Sequence, residues 1–160
     1  EVLKLLSRLL SNQHKVLVFS QFSSQLELLS LSLKNLKIRH EILSGKTSQA
    51  KRVELVTNFQ NSQFDVFLIS LKAGGTGLNL TRADVVLHLD PWWNPQAARQ
   101  ASDRAYRMGQ TRPVTVYHFI AEKTVEEKVA RLSESKAQLF DALFSQKTTP
   151  NTQELLDFLR

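Results

Sequence analysis

Short, continuous apolar runs alternate with segments of helical periodicity along most of this chain, and this alternation is the strongest constraint on its fold. Runs such as KVLVFS and FDVFLIS have the length of a strand and are apolar on both faces. Such strands lie in a mostly parallel sheet with helices packed on both sides. The sequence therefore predicts an α/β fold. The predicted strands are 15–20, 38–43, 64–70, 83–90 and 113–120, and the predicted helices are 1–12, 23–36, 49–60, 95–107 and 125–144.

Two of the predicted helices begin with recognisable capping signals. Asn94 and Pro95 suit the N-cap and first turn of one helix. Thr124 and Glu127 have the spacing of a capping box before another helix. A polar, turn-prone stretch follows that last long helix and sets a boundary. We predict one domain over 1–145 and a polar linker with a short helix over 146–160.

Composition excludes several classes of protein. The 160 residues include no cysteine, which removes disulfides and thiolate metal sites. No apolar run reaches the roughly eighteen residues of a membrane span. The formal net charge is +6, from 21 basic and 15 acidic residues, which favours a polyanionic partner such as a nucleic acid. A merely basic globular protein is the alternative.

The glycines are concentrated where a ligand could approach the backbone. Of five in the chain, three stand at 74, 75 and 77, and the others stand at 45 and 109 next to basic residues. Glycine permits sharp turns and close approach to a ligand. In a parallel sheet, ligands bind beyond the carboxyl ends of the strands. We therefore expect the functional groups along that one edge, in the loops QFSS, SGKTS, LKAGGTG and DPWWNP.

SGKTS, at 44–48, has the last residues of a phosphate-binding P-loop but does not complete that motif. The motif needs a glycine five positions before Gly45, and His40 stands there. Ser44, Gly45 and Thr47 nevertheless precede a predicted helix N-terminus, whose free N–H groups suit an anion such as a DNA phosphate. A plain capping loop is the alternative.

The stretch QASDRAYRMGQTR, at 100–112, carries three arginines within nine positions. On a regular helix over 95–107, Gln100, Arg104 and Arg107 fall within about 60° of one another, beside a face of small alanines. The planar guanidinium group binds phosphate more specifically than lysine does, which favours phosphate recognition. Solvated arginines with Asp103 as a local partner are the alternative.

The aromatic and histidine residues give weaker signals. We expect one of Trp92 and Trp93 in the core and the other against a partner, a base or a ribose. The four histidines lack metal-ligand spacing, so we expect them to be structural or exposed.

Assembled in order, these segments resemble the C-terminal RecA-like lobe of a Swi/Snf-type ATP-dependent DNA translocase of helicase superfamily two. KVLVFSQF is similar to that family's motif IV, LISLKAGGTGLNL to motif V and QASDRAYRMGQTR to motif VI. LSGKTSQAKRVELVTNF resembles the segment that usually begins L-D-G-S-T. The resemblance covers about 15–130. Ser44, Lys46 and Tyr106 replace residues that are usually aspartate, serine and histidine.

The resemblance implies half of an ATPase site. In this family ATP with Mg lies between two RecA-like lobes, and the N-terminal lobe brings the P-loop lysine and the magnesium ligands. The present lobe would supply Arg104 and Arg107 as catalytic arginine fingers. Gln100, Gly75 and Gly77 would join them at the nucleotide. The residues implied in contacts with the DNA backbone are Gln21, Ser44, Gly45, Lys46, Ser70, Lys72 and Thr76.

The implied partners are the N-terminal lobe of the same polypeptide, duplex DNA and other proteins on that DNA, with no membrane. We expect the isolated chain to hydrolyse ATP negligibly. The alternatives are a non-catalytic nucleic-acid-binding module and a lobe of a superfamily-two helicase that acts on RNA or separates strands. Because long insertions between motifs IV and VI are lacking, we expect a bacterial, cytoplasmic protein at the nucleoid, whereas a eukaryotic parent would be nuclear.

Overall fold

The computed structural model describes residues 1–71, 73, 78–92, 94–107 and 109–145, with the backbone alone from 139. Strands and helices alternate through these residues as the apolar runs predict. The strands are β1 (Val16–Ser20), β2 (His40–Leu43), β3 (Val66–Ser70), β4 (Val85–His88) and β5 (Thr115–His118). The helices are α1 (Val2–Ser11), α2 (Ser23–Asn35), α3 (Gln49–Gln60), α4 (Pro95–Ser102) and α5 (Val125–Ser145). The predicted segment 146–160 lies outside the described residues.

The strands form one parallel sheet in the order β2-β3-β1-β4-β5. In the register of the three central strands, Ser20 lies opposite Ser70, and Phe19 lies opposite His88. The carboxyl ends of these strands therefore reach the same edge, as expected for a parallel sheet. The prediction of an α/β fold with a mostly parallel sheet is confirmed.

Alternate residues of each central strand point into two separate cores, one on each face of the sheet. On one face, strand residues pack with α1 and α2, in a core formed by Leu6, Leu9, Val16, Val18, Leu26, Leu33, Val66, Leu68, Val85 and Leu87. On the other face, they pack with α3 and α4, in a core that includes Leu17, Phe19, Leu55, Phe59, Phe67, Ile69, Val86 and Ala101. Strands buried on both faces explain the continuous apolar runs in the sequence.

The inward face of α3 differs from the predicted one. The helical spacing of the sequence predicts Val53, Val56 and Phe59 on the inward face, but Val53 is 60% exposed, and Leu55 is buried. Leu55 and Phe59, four residues apart, form the buried stripe, because i and i+4 lie above one another on a helix. Arg52 lies on the same stripe, one turn nearer the helix start, and it is half-buried.

The last helix begins where its capping signal predicts. The Thr124 hydroxyl accepts the amide of Glu126 at 3.1 Å, and the Glu127 carboxylate accepts the amide of Lys123 at 3.1 Å. These bonds satisfy N–H groups at the helix start. Helix α5 then runs against α4. Among the described residues, no helix is both long and apolar enough to cross a lipid bilayer.

Candidate functional site

The loops after β1 and β4 are joined at the carboxyl edge of the sheet by a buried carboxylate. Asp90, only 2% exposed, accepts the Ser20 hydroxyl at 2.5 Å and the main-chain amide of Gln21 at 3.1 Å. The Gln21 side chain, predicted as a DNA contact, donates its amide nitrogen to the Pro91 carbonyl at 2.8 Å. The first predicted DNA-binding loop is thus held in place from within the lobe.

The loop after β2, residues 44–48, is held by its own side chains. Thr47 Oγ1 accepts the amide of Ser44 at 3.0 Å, and Ser44 Oγ accepts the amide of Lys46 at 3.3 Å. Ser48 caps α3 through the amide of Lys51 at 3.4 Å. Lys46 and Gly45 are exposed, and a Cβ built on Gly45 would meet nothing within 4 Å. Of this loop, these two residues offer an open surface.

The structure describes the segment after β3 at its start and again where the chain turns back towards β4. Ser70 ends the strand and is 2% exposed, with no partner for its hydroxyl among the described residues. Ala73 is buried, and the chain is described again from Leu78, where it returns towards β4. The predicted contacts Lys72, Gly75, Thr76 and Gly77 lie outside the described residues, as does Trp93.

The helix that leads to the arginines is shorter than predicted. Asn94 caps it as expected, its side chain accepting the amide of Gln96 at 3.0 Å. However, α4 ends at Ser102 rather than at 107. The Arg104 carbonyl accepts the amide of Leu80 at 3.1 Å, and the Ala105 carbonyl accepts the Gln110 side chain at 3.0 Å. Carbonyls used in this way are not paired along a helix.

The predicted common helix face is therefore wrong. Gln100 is exposed on α4, whereas Arg104 lies in the turn beyond the helix and Arg107 is exposed further along. Arg104 and Arg107 are three residues apart, and burial first, and the charge of Arg107 second, lower the pKa of the Arg104 guanidinium. A turn rather than a helix face brings these charges together.

Arg104 has donor groups that the described part of the lobe leaves unused. Its Nε and Nη1 atoms are buried and have no hydrogen-bond partner among the described residues. Buried polar groups are almost always paired, so an unpaired guanidinium beside a second positive charge fits an anion with several acceptor oxygens. Leu80, where the glycine-rich segment ends, donates its main-chain amide to the carbonyl of Arg104.

Gln110 holds the arginine segment in place, although no pattern in the sequence marks it for this role. Its side-chain nitrogen lies 3.0 Å from the Thr81 carbonyl and 2.7 Å from the Ala83 carbonyl. Thr81 and Ala83 lie just before β4. The arginine segment therefore runs from the carboxyl edge of the sheet back towards the amino ends of the strands. Gly109, beside it, has φ +102°, a left-handed conformation that favours glycine. That glycine was the one available signal of a sharp turn here.

The third arginine of the stretch has a structural partner. Arg112 Nη1 donates to Asp84 at 3.2 Å. Burial by itself raises the pKa of Asp84, but hydrogen bonds from His14 and Arg112 outweigh it and hold the pKa below its ordinary value. Arg112 thus belongs to an ion pair before β4.

An aromatic cluster lies beneath the DPWW loop. Trp92 is buried, with its ring 4.9 Å from His88 and 6.3 Å from Phe19 between centroids. Trp92 is therefore the tryptophan expected in the core. Within the described residues, no group of three or more histidine, aspartate or glutamate side chains is placed to hold a metal ion.

Comparison with known proteins places this geometry in a family. The helicase conserved C-terminal domain family matches residues 1–109. The chain is 41% identical over 138 residues to an uncharacterized ATP-dependent helicase of Mycoplasma genitalium, covering 86% of this chain and 13% of the relative. It is 41% identical over 136 residues to the chromatin-remodeling ATPase INO80 of Drosophila melanogaster, covering 84% of this chain and 8% of the relative.

A solved structure agrees with these relatives. The crystal structure of the C-terminal part of the Fun30 ATPase domain matches with a TM-score of 0.78 and 37% identity, covering 82% of this chain and 43% of the other. The chain thus spans a small part of the curated relatives that it matches. With its parallel sheet, its glycine-rich segment and its arginine turn, this chain belongs to the helicase C-terminal domain family, among the Swi/Snf-type ATP-dependent helicases of superfamily two.

Proposed function

We propose that this chain is the C-terminal lobe of a Swi/Snf-type, DNA-dependent ATPase and translocase. It supplies Arg104 and Arg107 to an ATP site that is completed by an N-terminal lobe of the same polypeptide. The observation that carries the proposal is the Arg104 guanidinium, two buried nitrogens of which have no partner among the described residues, and whose pKa the charge of Arg107 helps to lower. The oxygens of a γ-phosphate provide the acceptors that this arrangement lacks.

The two arginines act on charge that develops in the transition state. The N-terminal lobe would hold ATP with Mg, and the metal would supply part of the neutralisation of the phosphate charge. Arg104 and Arg107 donate to the transferring phosphoryl group from the opposite side. Because Arg104 is already desolvated, its interaction with an anion is stronger than that of a guanidinium in water. Gln100, exposed on α4, is proposed to help orient them.

Contacts with DNA lie along the carboxyl edge of the sheet. Gly45 and Lys46 stand open to solvent before the N-terminus of α3, where N–H groups favour an anion. Contacts of this kind are made to phosphates, so they are salt-sensitive and carry little sequence information. Lys72 and Thr76, in the segment after β3, are proposed to contact the same backbone.

The test is ATP hydrolysis by the full-length parent protein, with and without duplex DNA, for the wild type, Arg104→Ala and Arg107→Ala. We expect DNA to stimulate the wild type and each substitution to lower turnover about 10³-fold, as removal of arginine fingers does elsewhere, with DNA affinity largely kept. Arg112→Ala is the matched control, because Arg112 pairs with Asp84, and it keeps turnover.

Three results contradict the proposal. Normal turnover in Arg107→Ala and Arg104→Ala removes the finger role. Uniform loss of nucleic-acid affinity in both variants, without any DNA effect on hydrolysis, identifies a binding module instead. Stimulation by RNA or single-stranded DNA rather than duplex DNA assigns the lobe to another kind of superfamily-two motor.

A further inference from the structure

Arg52 connects the two neighbouring loops at the carboxyl edge of β2 and β3. Its Nε donates to the Thr47 carbonyl at 3.0 Å and its Nη2 lies 3.4 Å from the Ser44 carbonyl, both in the loop 44–48. Its Nη1 donates to the Ala73 carbonyl at 2.7 Å, at the start of the glycine-rich segment. One side chain therefore holds the backbones of two loops that are far apart in sequence.

This arrangement requires an arginine. All three acceptors are main-chain carbonyls, and three different nitrogens of one planar group contact them. A lysine has a single ammonium group on a flexible stem and cannot reproduce these three directions. Because Arg52 lies at the first turn of the buried stripe of α3, the helix packing fixes the point from which the guanidinium extends.

The other end of α3 holds the return of the same segment. The Gln60 side-chain nitrogen donates to the Asn79 carbonyl at 3.2 Å, and its oxygen accepts the amide of Arg82 at 2.9 Å. Between these two positions, the amide of Leu80 donates to the Arg104 carbonyl at 3.1 Å. Helix α3 thus forms hydrogen bonds with the glycine-rich segment at both ends. The segment in turn contacts the main chain of Arg104, the proposed finger.

We propose that α3 couples DNA contact to ATP turnover, with Arg52 and Gln60 as its positioning residues. A phosphate bound at the loop 44–48 changes the position of that loop, and Arg52 transmits the change to Ala73 and to α3. Helix α3 carries the change to Gln60, which contacts Asn79 and Arg82 on either side of the Leu80–Arg104 contact. The inference rests on the proposed function, because it assigns a route between the two sites proposed there.

The test uses the full-length parent protein and the variants Arg52→Lys and Gln60→Leu. Arg52→Lys keeps the positive charge but loses the three-way contact. We expect ATP hydrolysis without DNA to stay within about twofold of the wild type, and stimulation by saturating duplex DNA to fall at least about fivefold, in the range of ordinary coupling between two sites. Gln60→Leu is expected to act in the same direction.

Lys51→Ala is the matched control on the same helix, because Lys51 is exposed and pairs with Glu54 at 2.7 Å. It keeps both DNA-free and DNA-stimulated hydrolysis. Thermal unfolding of each variant is measured beside turnover. A merely structural role would lower hydrolysis with and without DNA in the same proportion.

Each other outcome has a distinct meaning. Full stimulation of Arg52→Lys and Gln60→Leu overturns the coupling inference and leaves the proposed function standing. Equal loss with and without DNA in both variants also overturns it, in favour of simple stabilisation. A wild-type parent that duplex DNA does not stimulate overturns the proposed function, and the coupling inference falls with it.

Discussion

At the scale of single residues, the two most informative side chains are Arg104 and His88, which both have buried polar atoms. Arg104 has two buried nitrogens without a partner among the described residues, and the charge of Arg107 adds repulsion. Buried donors without an acceptor cost stability, and an anion that supplies the acceptors removes this cost. The proposed role of Arg104 at the γ-phosphate is consistent with this.

His88 is a buried residue of a different kind. It is 0% exposed, its ring stacks on His118 at 4.7 Å, and its Nε2 lies 3.1 Å from the Ser102 hydroxyl. Burial first, and the charge of His118 second, lower the pKa of His88 from 6.5 to about 3. The folded chain therefore keeps this imidazole neutral at pH values where the unfolded chain protonates it.

This difference predicts a loss of stability in mild acid. Because the pKa of His88 is about 3 in the folded state and 6.5 in the unfolded state, its contribution is complete above about pH 6.5 and is lost as pH falls towards 3. Between pH 7 and pH 5 the loss is about 2 kcal/mol of unfolding free energy. Burial also lowers the pKa of His118, which acts in the same direction.

Urea unfolding of the chain at several pH values checks this prediction. His88→Phe, which keeps an aromatic ring, should lose about 2 kcal/mol less than the wild type between pH 7 and pH 5. Asp65 and Asp84 do not confuse the comparison, because their pKa values lie below 3.8. Equal pH dependence in wild type and variant would show that His88 does not titrate as a buried group.

At the scale of elements, α4 decides where the arginines lie. It has only the eight residues Pro95–Ser102, and its first turn is closed by the Asn94 side chain. A helix this short gains little from propagation, so its capping bond is a large fraction of its stability. Its alanine face then packs against the sheet, with Ala101 buried.

Removing that cap should loosen the helix measurably. We expect Asn94→Ala to lower the unfolding free energy by about 1 kcal/mol, the usual value for an N-cap side chain. Asn94→Ser, which retains an acceptor oxygen, should stay within a few tenths of a kcal/mol of the wild type. Chemical denaturation of the three chains gives the comparison. An alanine variant as stable as the wild type would mean that the amide of Gln96 finds another acceptor.

The elements were predictable from the sequence to the extent that local pattern determines them. Every predicted strand is present. The three central strands β1, β3 and β4 leave continuous apolar runs because they are buried on both faces. The end of α4 was not predictable, because the carbonyls of Arg104 and Ala105 are taken by Leu80 and Gln110. Those partners come together only in the folded chain.

The same limit applies to the site. The motifs of the sequence led to Arg104 and Arg107, but nothing in the pattern distinguished Arg52 from other arginines on a helix. Its contacts are to main-chain carbonyls, and a carbonyl is present at every residue. Which carbonyls converge is a property of the folded loops, so residues that position a site are harder to predict than residues that touch a ligand.

At the scale of the whole molecule, the proposed function gives the lobe one side of a shared active site. The proposed fingers need an opposite surface that binds ATP and Mg, and the sequence at 44–48 does not provide it, because His40 stands where a P-loop has glycine. The curated relatives are far longer, since the matched region is 13% of one and 8% of another. The proposed motor therefore depends on closure between two lobes.

The isolated 160-residue chain should consequently hydrolyse ATP at less than about 1% of the rate of its DNA-stimulated parent, because arginine fingers contribute about 10³–10⁵ only when the rest of the site is present. Phosphate release, measured with and without duplex DNA, checks this. The same chain should still bind duplex DNA, with an affinity that falls steeply as salt rises, since its open contacts are to phosphates. That binding is the control that the lobe is folded and competent. Robust, DNA-stimulated turnover by the isolated chain would show that its own loops bind and activate ATP, and the half-site assignment would then be wrong.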